Sequence, residues 1–213
     1  MPLLKTIQAN RHTQVLIWKI DESFNDLFNN IDLCENSLSR IKSMKSEMHQ
    51  RGFLSVRYLL KEAEYTDNDL FYTSDGKPHL IDGKEISITH SYTYSALIIS
   101  NSPVGIDMEM NRDKIIQIAP KFLGKEKEYL LDNTSESNTK ELIKQLTVIW
   151  GAKESLFKIH PDGGLLFKHH LPIEPFQLTD KKTKGWIKKD NFYEKYDIFF
   201  EQIDGFTLVY AMN

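Results

Sequence analysis

Cysteine is almost missing from this 213-residue chain: Cys34 stands alone. That excludes an intramolecular disulfide, and it leaves no thiolate zinc site without histidine or carboxylate help. A reducing cytoplasm is the expected setting. An excess of one charge is missing too, since 27 lysines and arginines face 30 acidic residues for a net charge of -3. Nothing global favours nucleic acid as a partner, so any phosphate-binding site must be local. No stretch reaches the ~20 apolar residues of a membrane span, and the opening MPLLKTIQANRH lacks the apolar run of a secretory signal. What is present is ordinary: 40% hydrophobic and 27% charged residues, enough for a real core in one large or two small domains.

Periodicity divides the chain into alternating kinds of element. Residues 14–20 are β-rich, and 24–31 have helical spacing. Between 38 and 64 the apolar positions Ile41, Met44, Met48, Phe53, Val56, Leu59 and Leu60 recur mostly three or four apart, as one buried helical stripe requires, in two helices or one long one. Turn chemistry marks 75–78 and 82–83. Strands follow at 85–90, 95–100 and 104–109, with a turn at 101–103. The second half predicts a helix at 115–131, a polar break at 132–138, a helix at 139–158, and strands at 176–178, 184–188, 196–202 and 206–212. Helices and strand runs in each half indicate an α+β fold. The expectation is two similar halves, 1–102 and 103–213, each a small, mainly antiparallel sheet packed with helices and related by a pseudo-twofold, although no close sequence repeat joins them.

Chemistry concentrates in a few places. Asp107 and Glu109 lie two apart on a predicted strand, so the pleat sends both carboxylates to one face and Ile106 and Met108 to the other. Mg²⁺ takes oxygen ligands of this kind, one or two carboxylates together with substrate phosphate oxygens. On this pair alone a solvated strand face is the favoured account. In Trp150–Lys158, Glu154 and Lys158 are one helical turn apart; a surface pair would explain them at about 0.2–0.5 kcal/mol, but Trp150, Leu156 and Phe157 mark a packed segment where charges need partners. His90 ends an alternating strand, where its ring and nearby backbone N–H groups could meet an anion. Alone it would be structural, and Arg51 and Lys77 alone would be surface cations.

Taken together these segments resemble the Sfp-type 4′-phosphopantetheinyl transferase superfamily, whose two best-known motifs are a G-[IV]-D-x-E strand and a W-x-x-K-E-[SA]-x-x-K helix. Gly105-Ile106-Asp107-Met108-Glu109 matches the first and Trp150-Gly151-Ala152-Lys153-Glu154-Ser155-Leu156-Phe157-Lys158 the second. Gly76-Lys77-Pro78 resembles the family's G-K-P turn, and Ser87-Ile88-Thr89-His90-Ser91 its S-I-S-H-S strand end, with Thr89 keeping the hydroxyl. Arg51 looks like the arginine opening the family's early helix, and Gly163-Gly164 like its glycine pair. The length resembles the monomeric two-halved type.

The resemblance implies a transfer of the phosphopantetheine arm of coenzyme A to a serine of an acyl or peptidyl carrier protein. Asp107, Glu109 and Glu154 would hold Mg²⁺, and Lys158 would reach the pyrophosphate. Arg51, Lys77, Pro78, Thr89, His90 and Lys153 would border the coenzyme. The family's general-base glutamate aligns with Glu126 or Glu128, of which Glu128 is favoured. The basic residues for the coenzyme's 3′-phosphate have no clean match among Arg40, Lys42 and Lys45. A carrier-docking patch is expected around 121–129, with Phe122, Leu123 and several lysines. Two other readings stand beside this one: a catalytically silent coenzyme A or carrier-binding module, and a Mg²⁺-dependent nucleotide phosphohydrolase.

Overall fold

A computed structural model describes residues 3–130, 136–160 and 163–213. Leu131 and most of the expected polar break at 132–138 lie outside these residues. The chain divides into two compact units, Met1–Ser102 and Pro103–Asn213, and the fold is α+β with antiparallel sheets and helices.

The first unit runs β1 (Leu3–Asn10), β2 (Thr13–Lys19), α1 (Phe24–Asn29), α2 (Glu35–Ser43), α3 (Glu47–Glu62), β3 (Leu70–Tyr72), β4 (Pro78–Leu80), β5 (Glu85–Ser91) and β6 (Tyr94–Ser100). Four strands form one antiparallel sheet in the order β1-β2-β6-β5, and β3 pairs separately with β4. The segment 38–64 is therefore two helices, not one. Helix α3 buries Phe53, Leu54, Val56, Leu59 and Leu60 and packs against β2, β5 and β6. It ends in a Schellman-type closure: Tyr65 N–H donates to Leu60 O at 2.9 Å and Glu64 N–H to Lys61 O at 3.0 Å, with Glu64 at φ +65° where glycine is usual.

The second unit runs β7 (Gly105–Met110), α4 (Lys114–Phe122), α5 (Glu136–Ile159), α6 (Phe167–His170), β8 (Lys182–Lys189), β9 (Phe192–Ile203) and β10 (Phe206–Met212). Its antiparallel sheet has the order β7-β10-β9-β8, with Asp107 opposite Val209 and Glu109 opposite Thr207. Helix α5 lies across β7 and β10, and Leu146, Ile149, Ala152 and Leu156 enter the core beneath it. Two sequence expectations are corrected here. The helix at 115–131 stops at Phe122, and a separate 3-10 turn spans Lys125–Glu128. Residues 176–178 are not a strand; Phe176 is a buried loop side chain and Leu178 opens a 3-10 turn.

Candidate functional site

Strand β7 can approach α5 because Gly105 has no side chain: a Cβ there would overlap the Ser155 carbonyl oxygen. Gly151 does the same from the helix, since its Cβ would sit 2.8 Å from Val209 Cγ2 and 3.6 Å from Asp107 Oδ2. Residues 105, 107 and 109 share one face of the strand, so this close approach turns Asp107 and Glu109 toward the helix. Ser155 Oγ donates to Gly151 O at 2.7 Å and toward Val209 O at 3.3 Å, fastening the helix to β10.

Lys158, one turn after Glu154, donates from Nζ to Ile106 O at 2.6 Å and to Asp107 Oδ1 at 3.1 Å. Asp107 is only 6% exposed. The Trp150 indole donates to the Glu109 carboxylate. The sequence-predicted residues Asp107, Glu109, Glu154 and Lys158 thus lie where β7 meets α5, with Asp107 and Lys158 acting on the charge of Glu109 and Glu154. Burial, then the negative charges of Asp107 and Glu109, push the Glu154 carboxyl up to about 7, with Lys158 opposing. Burial and Asp107 also raise Glu109, against Trp150, Arg112 and Lys158.

Lys153 is placed elsewhere. Its side chain is fully buried, 2.8 Å from Glu126 Oε1, and donates to Phe122 O and Phe167 O at 2.9 Å each. Glu126 accepts in addition from Gly124 N at 2.6 Å and Ile173 N at 3.0 Å. Burial pulls the Lys153 ammonium below the ordinary lysine range, and Glu126 opposes that. This pair ties α5, the 3-10 turn, α6 and the strand-proximal loop together, which separates the two glutamates that the sequence left open: Glu126 is locked in the interior and Glu128 is exposed. Phe122 and Leu123 are core residues, so the exposed residues of the expected docking patch are Lys121, Lys125, Lys127 and Glu128.

In the first unit, the exposed His90 ring lies across Gly52 of α3, where an added Cβ would meet Nδ1 at 3.1 Å. The ring centroid of His49 is 6.3 Å from that of His90. Arg51 Nη2 donates to Ile20 O at 3.0 Å. Thr89, next in the strand, points inward and is buried. Lys77 closes a tight turn, donating its N–H to Thr73 Oγ1 at 3.2 Å, and Gly76 supplies the φ of +84° that the turn needs. Pro78 pairs with Tyr72.

Comparison with known proteins decides what this arrangement belongs to. The family model for the 4′-phosphopantetheinyl transferase superfamily matches residues 103–207. The second unit is a 4′-phosphopantetheinyl transferase superfamily domain. A 4′-phosphopantetheinyl transferase gsp from Aneurinibacillus migulanus is 28% identical over 151 residues, which cover 70% of this chain and 60% of that protein.

Among the described residues no three His, Cys, Asp or Glu side chains are grouped closely enough to hold a metal ion. The donor chemistry of Asp107, Glu109 and Glu154 nevertheless fits a hard divalent cation: all three offer oxygen, and burial together with the negative charges of Asp107 and Glu109 holds the Glu154 proton to about pH 7. The sequence missed one charged pair altogether. Arg57 is buried in α3 against Asp67, Nε to Oδ1 at 3.0 Å, with Ser37 Oγ and Cys34 N also donating to Asp67. Its one signal, an arginine within an apolar helical stripe, does not by itself distinguish a buried pair from a surface cation.

Proposed function

We propose that the chain is a Mg²⁺-dependent 4′-phosphopantetheinyl transferase that moves phosphopantetheine from coenzyme A to a serine of an apo acyl or peptidyl carrier protein, releasing adenosine 3′,5′-bisphosphate. The observation carrying this reading is the convergence of Asp107, Glu109, Glu154 and Lys158 where β7 meets α5, within a transferase-superfamily domain. The charge-crowded carboxylates speak against a catalytically silent binding module.

Asp107, Glu109 and Glu154 hold the cation, which when bound supplies charge neutralisation at the coenzyme pyrophosphate. Lys158 Nζ, already at the Asp107 carboxylate, orients that carboxylate and offers positive charge to the phosphate. The carrier serine attacks the pantetheine-side phosphorus and the bisphosphate leaves, so the protein contributes no nucleophile and works by positioning. Glu128 takes the serine proton. Arg51, Lys77, Pro78, Thr89 and His90 border the coenzyme. Lys153 acts from beneath, holding the loop at Phe122 and the start of α6. The exposed Lys121, Lys125 and Lys127 meet an acidic carrier. The same reading takes the protein as a cytoplasmic monomer with no nucleic-acid partner.

The test is the intact mass of an apo carrier protein incubated with the enzyme, coenzyme A and Mg²⁺, with an EDTA control. A metal-dependent gain of one phosphopantetheine supports transfer. No gain across fatty acid, polyketide and peptidyl carriers, with coenzyme A still bound, would favour the silent binding module.

A further inference from the structure

The turn joining β5 to β6 carries a residue that its backbone disfavours. Ser91 pairs with Tyr94, which leaves Tyr92 and Thr93 as a two-residue hairpin loop, and the first central position of such a loop takes positive φ. Tyr92 has φ +52°. Among the described residues the non-glycine positions with positive φ are Glu64, Tyr92, Lys181, Asp190 and Asp204, and Tyr92 alone is aromatic. Crowding between Cβ and the carbonyl makes a bulky side chain costly there, whereas asparagine or glycine is accepted. Burial offers no compensation, because Tyr92 is 41% exposed. A strained residue kept at a surface is a candidate for use.

Its neighbours indicate what the use is. Ile20 at the end of β2 anchors two things at once: its N–H donates to Thr93 O at 2.8 Å, and its carbonyl accepts from Arg51 Nη2 at 3.0 Å. The Tyr92–Thr93 loop and the Arg51 guanidinium are therefore fixed to the two polar groups of one residue. His90, two residues before Tyr92, lies over Gly52, the residue after Arg51, with His49 beside it. An exposed aromatic ring two residues from His90, on a loop bonded to the same residue that holds Arg51, combines a flat apolar face with groups that receive phosphate.

We propose that the Tyr92 ring is a stacking platform for the purine base of a nucleotide whose phosphates Arg51 and His90 receive; resting on the transferase reading, that base is the adenine of coenzyme A. Tyr92 is thereby a specificity residue for the nucleotide end of the co-substrate, not part of the transfer chemistry.

The experiment measures Tm, and by calorimetry the binding of coenzyme A and of adenosine 3′,5′-bisphosphate, for the full-length wild type, Tyr92→Phe and Tyr92→Asn. Tyr92→Asn suits the backbone and removes the ring, so its Tm should equal or exceed that of the wild type while both ligands bind about tenfold more weakly. Tyr92→Phe should bind both like the wild type. Unchanged affinities in Tyr92→Asn, or a loss confined to coenzyme A and absent for the bisphosphate, overturn the stacking role and leave the transferase reading in place. A wild type that binds neither ligand overturns both.

Discussion

Gly105 and Ser155 lie so close that a single methyl group on Gly105 would occupy the space of the Ser155 carbonyl oxygen. The contact is backbone against backbone, so it cannot be relieved by a side-chain rotation. It sets the distance at which Asp107 and Glu109 face Glu154.

Gly105→Ala should push β7 away from α5. Overpacking of this kind costs about 1–3 kcal/mol, which a lowered urea midpoint would register, and Mg²⁺ affinity should fall with it because the carboxylates separate. A variant with wild-type midpoint and wild-type Mg²⁺ affinity would show that the helix can retreat without consequence.

Glu154 predicts a pH dependence with a definite sign. Its folded value of about 7 lies above the ordinary glutamate value of 4.5, so the fold favours the protonated carboxyl. That contribution is complete below the unfolded value and is lost as pH rises through about 7. The metal-free protein should therefore lose stability through this group between pH 4.5 and about 7, and Glu154→Gln should flatten the loss. A cation favours the carboxylate, so Mg²⁺ should bind more tightly as pH rises through the same range and release protons on binding. Calorimetry in buffers of different ionisation enthalpy measures that release; none at pH 6.5 would argue against Glu154 as a ligand.

Glu126 and Glu128 should separate cleanly. Glu126→Gln leaves the Lys153 ammonium buried without its countercharge, and breaking such a pair costs about 3–5 kcal/mol. Glu128 is exposed, so Glu128→Gln should leave Tm alone. If Glu128 accepts the serine proton, kcat should fall roughly a hundredfold or more. A wild-type kcat would show that Glu128 is not the acceptor.

How much was readable in advance follows the range of the interactions. The carboxylate face of β7 and the Glu154–Lys158 turn were legible because strand and helix periods fix them locally. Strand β1 escapes the sequence reading because none of its residues is fully buried, one face being half-buried and the other exposed, and its two register shifts against β2 interrupt the short alternation at 6–10. The inward fate of Lys153 was hidden by its motif, which gives a residue type and a spacing but not the direction of a side chain. Glu126 and Glu128 are two apart in a 3-10 turn, and only the packing of α6 and Ile173 decides which is enclosed. Arg57 needed Asp67, ten residues on and beyond the helix end, to become a core residue.

That Arg57–Asp67 pair gives a stability prediction independent of function. Burial pushes the Asp67 carboxyl up, but the Ser37 hydroxyl, the Cys34 N–H and Arg57 together outweigh it and hold the group below the ordinary carboxylate range. A depressed value contributes stability above the unfolded pKa, about 4, and loses it as pH falls through the folded one. Asp67→Asn should be destabilised by about 3–5 kcal/mol at neutral pH, since Arg57 is left buried without a countercharge. The gap to the wild type should narrow below pH 4. A constant gap across acid titration would mean that packing, not charge, holds this corner.

Among the three basic residues that the sequence left open for the coenzyme's 3′-phosphate, the geometry distinguishes Arg40. Its guanidinium lies 4.9 Å over the Tyr72 ring and 5.5 Å over Phe53, and Tyr72 is the strand partner of Pro78, at the turn expected to border the coenzyme. Lys42 and Lys45 are exposed with no such placement. A guanidinium held flat on an aromatic ring keeps its edge N–H groups available for phosphate. Arg40→Ala should therefore raise the KM for coenzyme A about tenfold, the loss of one charge-assisted contact, while Lys42→Ala and Lys45→Ala change it little. With dephospho-coenzyme A, which lacks the 3′-phosphate, Arg40→Ala and wild type should have the same KM. An equal penalty on both substrates would mean that Arg40 supports the fold around Tyr72 and does not touch that phosphate.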